Sequence, residues 1–461
     1  MKTATLRAAA SMLAVLASPL SIQAQQQGRD PKPWRLDEAV GTPDWVRLSG
    51  RHRTRFESLN KQFRAGNRPV AEDQWFTRTS VRADFDFGTL GGTAELMDSR
   101  AWGDNPNRQA STSFSNVTDF VELNAIYDFG APEGHTSRLL AGRYTMSLGS
   151  RRFVIRNGFR NTVNTFDGVD YLWQDDQGQQ LRLFWTMPVR RRPFDAPSLR
   201  DNDFEWDDQD KDLQFFGVFG ARNLDEHSQL EGYVFGLHED ATDSRNRRLI
   251  TPGVRIHRPA RKGAFFGQAE AAFQFGDSQA SSGTSPTLDH SAWFGHASLG
   301  YRFDCACDFT VRVAYDYATG DRDPSDGENN RFDRLYGAPR FEYTPTGLWG
   351  AIQRSNFKTP ELRVSFRPTR LSWIMLAYRN LELASATDQW IASGVRDATG
   401  ASGDNVGQQI ELRARYDFLP NNMFLEVGGV YFVSGSFLER APNSPGGADR
   451  KYGFVEMRWT F

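Results

Sequence analysis

The stretch Lys451-Tyr452-Gly453-Phe454-Val455-Glu456-Met457-Arg458-Trp459-Thr460-Phe461 decides how the rest of the chain is read. Taken in twos, it puts Lys451, Gly453, Val455, Met457, Trp459 and Phe461 on one face and Tyr452, Phe454, Glu456, Arg458 and Thr460 on the other. A period of two is that of a strand, whose successive side chains point to opposite faces. One face is largely apolar and ends in aromatics, while the other carries a carboxylate and a guanidinium. Such a strand suits a wall between lipid and a watery lumen, with Trp459 and Phe461 at one interface. The competing reading is the last strand of a soluble sandwich.

The same alternation recurs from Trp45 onward. Val46, Leu48, Gly50, Thr54 and Phe56 share one face of the first segment, and Arg47, Ser49, Arg51, Arg53, Arg55 and Glu57 share the other. There are about eighteen such segments in all, and their connections alternate in length. Short breaks fall at 88–91, 130–137, 174–179, 223–228, 259–263, 304–307, 368–370 and 419–422, with long ones between them. A sandwich has no reason to sort its loops by parity, whereas a barrel with short periplasmic turns and long extracellular loops requires it. A chain that ends on such a strand at a terminal Phe resembles the outer-membrane β-barrel proteins of Gram-negative bacteria. The expected fold is all-β: a transmembrane antiparallel β-barrel of about 18 strands, forming a single domain over 45–461. Barrels of that size leave an aqueous channel, so a pore is the default function.

Composition narrows the partners. Hydrophobic residues make up only 39% of the chain and no run of 18 apolar residues occurs, which excludes helical membrane spans. Alternation hides the apolarity of a barrel wall, so the low average agrees with outer-membrane lipid as a partner. A formal net charge of −2 argues against nucleic acid. Lysine occurs only at 2, 32, 61, 211, 262, 358 and 451, and every other basic residue is arginine. Arginine offers a rigid, permanently charged fork for carboxylates, phosphates or sulfates; genomic GC bias is the competing cause. Lys2 and Arg7, the apolar stretch Ala8 to Leu20 and the small Ala24 read as a signal peptide over 1–24, cleaved for export to the outer membrane. Residues 25–44 read as a loose periplasmic lead-in. Cys305 and Cys307, with no third thiol or nearby His, make a poor metal site, and a local disulfide in a tight turn is expected.

Phase places an arginine-rich set in the lumen. The expected solute path comprises Arg47, Arg51, Arg53 and Arg55 on the first strand, Arg78 and Arg82 on the second, and Arg143, Asp170, Arg182, Arg413, Arg415 and Arg458 further along. Such a field concentrates anions in a narrow lumen; a lattice of wall-stiffening ion pairs is the alternative. In 149–164, Arg151, Arg152, Arg156 and Arg160 are interleaved with Phe153, Val154, Ile155 and Phe159. Apolar residues in a long loop suggest that it folds inward as a gate or packs over the rim. Asp321, Asp323, Asp326 and Glu328 gather carboxylates as a calcium loop does, with spacing that departs from the EF-hand pattern. An outward-facing hydrolase needs Ser and His together. His52 faces outward beside Thr77 and Thr79, with no Ser in outward phase on the neighbouring strand, and His296 and Ser298 face the lumen. No enzyme and no cofactor are expected.

Three stretches carry a family resemblance: Ala141-Gly-Arg-Tyr-Thr-Met-Ser-Leu-Gly-Ser-Arg-Arg-Phe-Val-Ile-Arg-Asn-Gly-Phe-Arg-Asn-Thr-Val-Asn-Thr-Phe-Asp-Gly168, Tyr315-Asp-Tyr-Ala-Thr-Gly-Asp321 and Gly407-Gln-Gln-Ile-Glu-Leu-Arg-Ala-Arg-Tyr-Asp-Phe418. Together they resemble the alginate-export family of outer-membrane porins. The resemblance implies an eighteen-stranded monomer whose Arg-lined conduit, gated by an extracellular loop and a periplasmic turn, passes a uronate polymer. It places Arg53, Arg55, Arg143, Arg413 and Arg415 in the basic lining and makes periplasmic export components candidate partners. Passive, anion-selective passage of an anionic polysaccharide is the first functional reading. A porin for small organic anions or oligosaccharides is the second, and a lipid-face hydrolase is the third.

Overall fold

A computed structural model describes residues 32–461 except 67–69, 131–133, 242–243, 280, 284–285 and 340–341. The expected signal peptide and the start of the lead-in lie outside the described residues. From Trp34 onward the chain forms one unit built on eighteen long strands. They are β1 Val46–Asn60, β2 Ala71–Asp86, β3 Leu90–Trp102, β4 Asn116–Asp128, β5 His135–Tyr144, β6 Phe166–Asp175, β7 Gln180–Arg190, β8 Leu213–Asn223 and β9 Gln229–Glu239. The second half supplies β10 Arg248–Arg258, β11 Ala264–Gln279, β12 Thr287–Arg302, β13 Thr310–Ala318, β14 Phe357–Phe366, β15 Ser372–Glu382, β16 Asn405–Leu419, β17 Met423–Ser434 and β18 Arg450–Thr460.

Each strand pairs antiparallel with the next, and β1 also pairs with β18, from Arg51 opposite Thr460 to Asn60 opposite Lys451. That last ladder closes the barrel and removes the sheet edges. Alternation in β18 sets the faces: Trp459 is 44% exposed, while Glu456 is 2% and Phe454 3%. The terminal Phe461 exchanges backbone hydrogen bonds with Gly50, at 2.6 and 2.9 Å. Its ring occupies the space that a Cβ on residue 50 would need, so glycine is required there.

The long connections fold inward and pack the extracellular half of the lumen. Phe63, Phe114, Phe153, Phe332, Trp349, Trp390 and Phe437 from those loops meet Phe432, Tyr452 and Phe454 from the wall in one apolar cluster. Two expectations change accordingly. The strand expected over 138–148 ends at Tyr144, because Leu148 turns inward to donate its N–H to the Val154 carbonyl at 3.1 Å. Residues 34–44 are docked rather than loose: the Trp34 N–H donates to Asn422 Oδ1 at 2.8 Å, and a helical turn, α1 Leu36–Val40, follows. Cys305 and Cys307 lie in the β12–β13 turn with their sulfurs facing each other at 2.6 Å, inside van der Waals contact, which places them for the expected disulfide.

Candidate functional site

Strand β1 presents Arg53 and Arg55 to the lumen, about 6.6 to 7 Å apart as next-but-one residues. Both are 1% exposed. The Arg53 guanidinium donates to the carbonyls of Gly158 (3.0 Å), Phe159 (2.9 Å) and Arg160 (3.2 Å) and to Asn161 Oδ1 (2.8 Å). Arg55 donates to Phe159 O at 2.6 Å, and Arg78 on β2 donates to Arg160 O at 3.0 Å and Gly158 O at 2.9 Å. The crowded cations are further balanced by Glu57, 2.7 Å from Arg55, and by Glu456, 3.3 Å from Arg55 and 3.8 Å from Arg53. The first-strand arginines therefore clamp the backbone of the 145–165 loop. A guanidinium with five donors satisfies a tight turn of carbonyls where a side chain with a single donor would not.

The other end of that loop is held by a buried ion network. Arg152 pairs with Glu270 of β11 and with Glu342 of the β13–β14 loop, and Arg354 from that same loop also pairs with Glu342. Burial opposes the charge on Glu342, yet Arg152 and Arg354 outweigh it and hold the carboxyl well below the usual range. Backbone contact locks the two loops together. Tyr336 donates its N–H to Phe153 O at 2.9 Å, and a Cβ at Gly337 would fall on the Arg152 carbonyl. Arg160 has neutral acceptors, Thr162 O and Asn164 Oδ1. Burial, with Arg191, Arg334 and Arg78 nearby, pushes its pKa well below the ordinary arginine range.

Beneath the loop lies a cavity of about 510 Å³ whose lining holds eight arginines and three glutamates. Arg51, Arg363, Arg413, Arg415 and Arg458 reach it from β1, β14, β16 and β18, and Gly158 and Phe159 form part of its lining above them. A second cavity of about 270 Å³ shares Arg51, Arg415, Phe424 and Arg458 with the first and runs to the periplasmic turn at Asn421 and Asn422. Arg415 stacks 3.7 Å and Arg458 5.0 Å from the Phe424 ring centroid, and Arg413 lies 5.1 Å from that of Trp373. Most of these cations already have an acid: Arg413 pairs with Glu426, Arg415 with Asp417 and Arg458 with Glu456. Arg51 differs. Among the described residues its side chain makes no hydrogen bond or ion pair, and it is exposed to both cavities.

Of the expected solute path, the structure gathers Arg51, Arg53, Arg78, Arg413, Arg415 and Arg458 around this space, joined by Arg156 of the loop. Arg82 is tied to Asp84 and Glu122 instead, Asp170 pairs with Arg182 at 2.7 Å, and Arg47 lies toward the periplasmic end of β1. Arg143 is a correction of phase. It shares the outward face of β5 with the exposed Leu139 and Ala141, and it pairs with Asp167 at 2.8 Å and Asp119 at 3.1 Å. Arg151 sits exposed in a turn with φ 66. The calcium reading does not fit the geometry. Asp323 accepts from the Ser325 N–H and Asp326 from the Glu328 N–H, and among the described residues no three acidic, His or Cys side chains converge on a metal position. His296 is bound to Asp316 in the lumen wall at 2.7 Å, and His52 hydrogen-bonds to threonines, Thr79 at 2.9 Å and Thr54 at 3.1 Å.

The seam beside Arg143 is closed from outside by the β7–β8 loop. The Asp207 N–H donates to Asp119 Oδ2 at 2.6 Å, and Trp206 stacks on Phe120 at 6.4 Å. Burial, then the adjacent Asp119 charge, pushes the Asp207 pKa up to about 6. A raised carboxyl favours the docked loop while protonated, so that contribution is full below about pH 4 and is lost as pH rises through 6. Hydrogen-exchange protection at residues 203–209, taken relative to the intrinsic rate at each pH, should therefore fall between pH 5 and 7, and Asp207→Asn should flatten that fall. An unchanged pH profile in the variant would place the titration elsewhere.

A closed antiparallel barrel with inward loops and a basic vestibule is the architecture of a channel, and the sequence model of the alginate export family matches residues 44–449. The chain belongs to the alginate export family. No curated protein sequence matches it. Among solved structures, OccK8 (OprE) of Pseudomonas aeruginosa superposes with a TM-score of 0.57 at 12% identity, covering 90% of this chain and 98% of that one. OccAB4 of Acinetobacter baumannii gives 0.57 at 10% identity, covering 90% and 98%, and OpdL of P. aeruginosa gives 0.54 at 13%, again covering 90% and 98%. Identities so low show the fold alone. This member of the alginate export family is thus a porin-like outer-membrane channel barrel.

Sequence reasoning missed the partner that holds the 149–164 loop. Glu342, Tyr343, Trp349 and Arg354 lie in the long β13–β14 loop, and all four are buried. The signal was present, since Leu348-Trp349-Gly350-Ala351-Ile352 is an apolar run inside a long loop. It is the same sign that pointed inward for 149–164.

Proposed function

We propose that the channel passes carboxylate-bearing sugars of the uronate class, with anion selectivity set in the vestibule beneath the inward loop. The observation that carries this reading is the excess of eight arginines over three glutamates in one cavity of about 510 Å³. Trp373 and Phe424 line the same space and give sugar C–H faces an apolar surface, while the guanidiniums take carboxylates. Arg51 is the cation most available to solute, and its companions hold part of their charge against wall acids. Several modest sites in a row favour conduction over tight binding.

One observation favours a second reading, passage of small organic anions or short oligosaccharides. The extracellular half of the lumen is filled by the loop cluster around Phe153, Trp349 and Trp390, so a polymer would require those loops to move. Single-channel recording in planar bilayers with oligouronates of increasing length separates the two. Block that strengthens with length supports the polymer, block by monomers alone supports small anions, and no block by any uronate removes both. Arg51→Ala should weaken uronate block about tenfold, the loss of one charge-assisted contact worth about 1.5 kcal/mol. Unaltered block in this variant would show that Arg51 does not meet the solute.

A further inference from the structure

Three lumen-facing residues on neighbouring strands form a chain of hydrogen bonds that passage of solute does not use. His296 and Ser298 are next-but-one residues on β12 and share its inward face, and Asp316 stands opposite His296 in the β12–β13 ladder. His296 Nδ1 lies 2.7 Å from Asp316 Oδ1, and its Nε2 lies 3.3 Å from Ser298 Oγ. The Tyr343 O–H, from the β13–β14 loop, donates to the same Asp316 oxygen at 2.8 Å and fixes the carboxylate. An ionised carboxylate only accepts, so Nδ1 carries the ring proton and Nε2 is left to accept from the Ser298 O–H. Among the described residues His296 is the one hydrogen-bond partner of that hydroxyl. His296 and Asp316 are buried, whereas Ser298 is half-buried. The order of the three groups is that of a nucleophile, a general base and the group that orients the base.

We propose that Ser298, His296 and Asp316 form a hydrolytic site in the lumen wall that cleaves short-chain carboxylic esters carried by the solute. The identity of that carrier rests on the uronate reading; the activity itself does not. His296 Nε2 takes the Ser298 proton as Oγ bonds to the ester carbonyl carbon. The same proton passes to the alkoxide oxygen as its bond to that carbon breaks and the alcohol leaves. Water from the lumen then gives a proton to Nε2 as its oxygen bonds to the acyl carbon, and Ser298 recovers that proton as the acid departs. Gln268 stands opposite Ser298 in the β11–β12 ladder, and its Oε1 accepts from Arg255 Nε at 2.9 Å. Its amide N–H groups have no acceptor among the described residues, and they are the donors nearest in register for the oxyanion. Ala314, opposite Ser298 on the other side, contributes only a methyl, which fits a short acyl group rather than a long one.

The test uses the full-length folded barrel in detergent, with p-nitrophenyl acetate as the ester and an alkyl fluorophosphonate as the probe for an activated serine. Wild type should hydrolyse the ester above the buffer rate and take up the phosphonate at Ser298, located by peptide mass spectrometry. Ser298→Ala removes one oxygen, so heat-modifiable mobility and bilayer conductance should stay at wild type while both signals are lost. His296→Gln and Asp316→Asn should each slow labelling of Ser298 at least about a hundredfold in barrels of wild-type mobility. A wild-type barrel that leaves Ser298 unlabelled, ester turnover that persists in Ser298→Ala, or wild-type labelling in folded His296→Gln would each overturn the proposal. Turnover and labelling in a pore that no uronate blocks would uphold the site and remove uronates as the carrier.

Discussion

Glu342→Gln is expected to unseat two loops at once while the barrel still inserts. Glu342 is the shared carboxylate of Arg152 and Arg354, all three are buried, and its removal leaves two cations in a dry core. Breaking a buried pair by deleting one partner costs about 3–5 kcal/mol. Glu270 still holds Arg152 from the wall, so the cost falls mainly on the contact between the loops. Hydrogen exchange should rise across 149–164 and 342–356, and bilayer conductance should rise with it as the packed half of the lumen loosens. Wild-type exchange in both loops would show that the apolar cluster, not the ion network, seats them.

The second large effect is expected from Arg53→Met with Arg55→Met. The run of like charges at Arg53 and Arg55 on β1 faces loop carbonyls rather than open solvent. These two side chains satisfy three consecutive loop carbonyls, and leaving a buried acceptor without its donor costs about 1–3 kcal/mol. Phe159 O loses both of its arginine donors while Arg78 still holds Gly158 O and Arg160 O, so the tip should loosen around Phe159 and the cavity beneath should widen, giving a larger and noisier conductance. Selectivity should change less than conductance, because Arg51, Arg413, Arg415 and Arg458 remain. Arg51→Glu should do the reverse, leaving conductance near wild type and weakening anion preference. Identical behaviour of the two variants would contradict the division between clamp and lining.

The fold was legible because its signals are local and repeated. Period-two alternation, parity of loop lengths and the terminal aromatic strand each follow from one physical demand, that every backbone group in the bilayer be paired within a closed sheet. The site was legible only in part. Phase alone put Arg53 and Arg55 in the lumen correctly, but it could not say whether a lumen arginine meets solute or a loop carbonyl, since that depends on contacts about a hundred residues away. Phase failed at Arg143, where the strand beyond it ends and the chain turns inward at Thr145. For the same reason the pairing of Arg152 with Glu342, separated by 190 residues, left no local trace.

The central claim is that the arginine vestibule makes the pore anion-selective, and the reversal potential in a potassium chloride gradient tests it most directly. Wild type should reverse at a potential of the sign set by chloride, and Arg51→Glu should move that potential toward zero with the barrel folded and conducting. A wild-type pore that reverses on the potassium side, or an Arg51→Glu pore with unshifted reversal, would contradict the account.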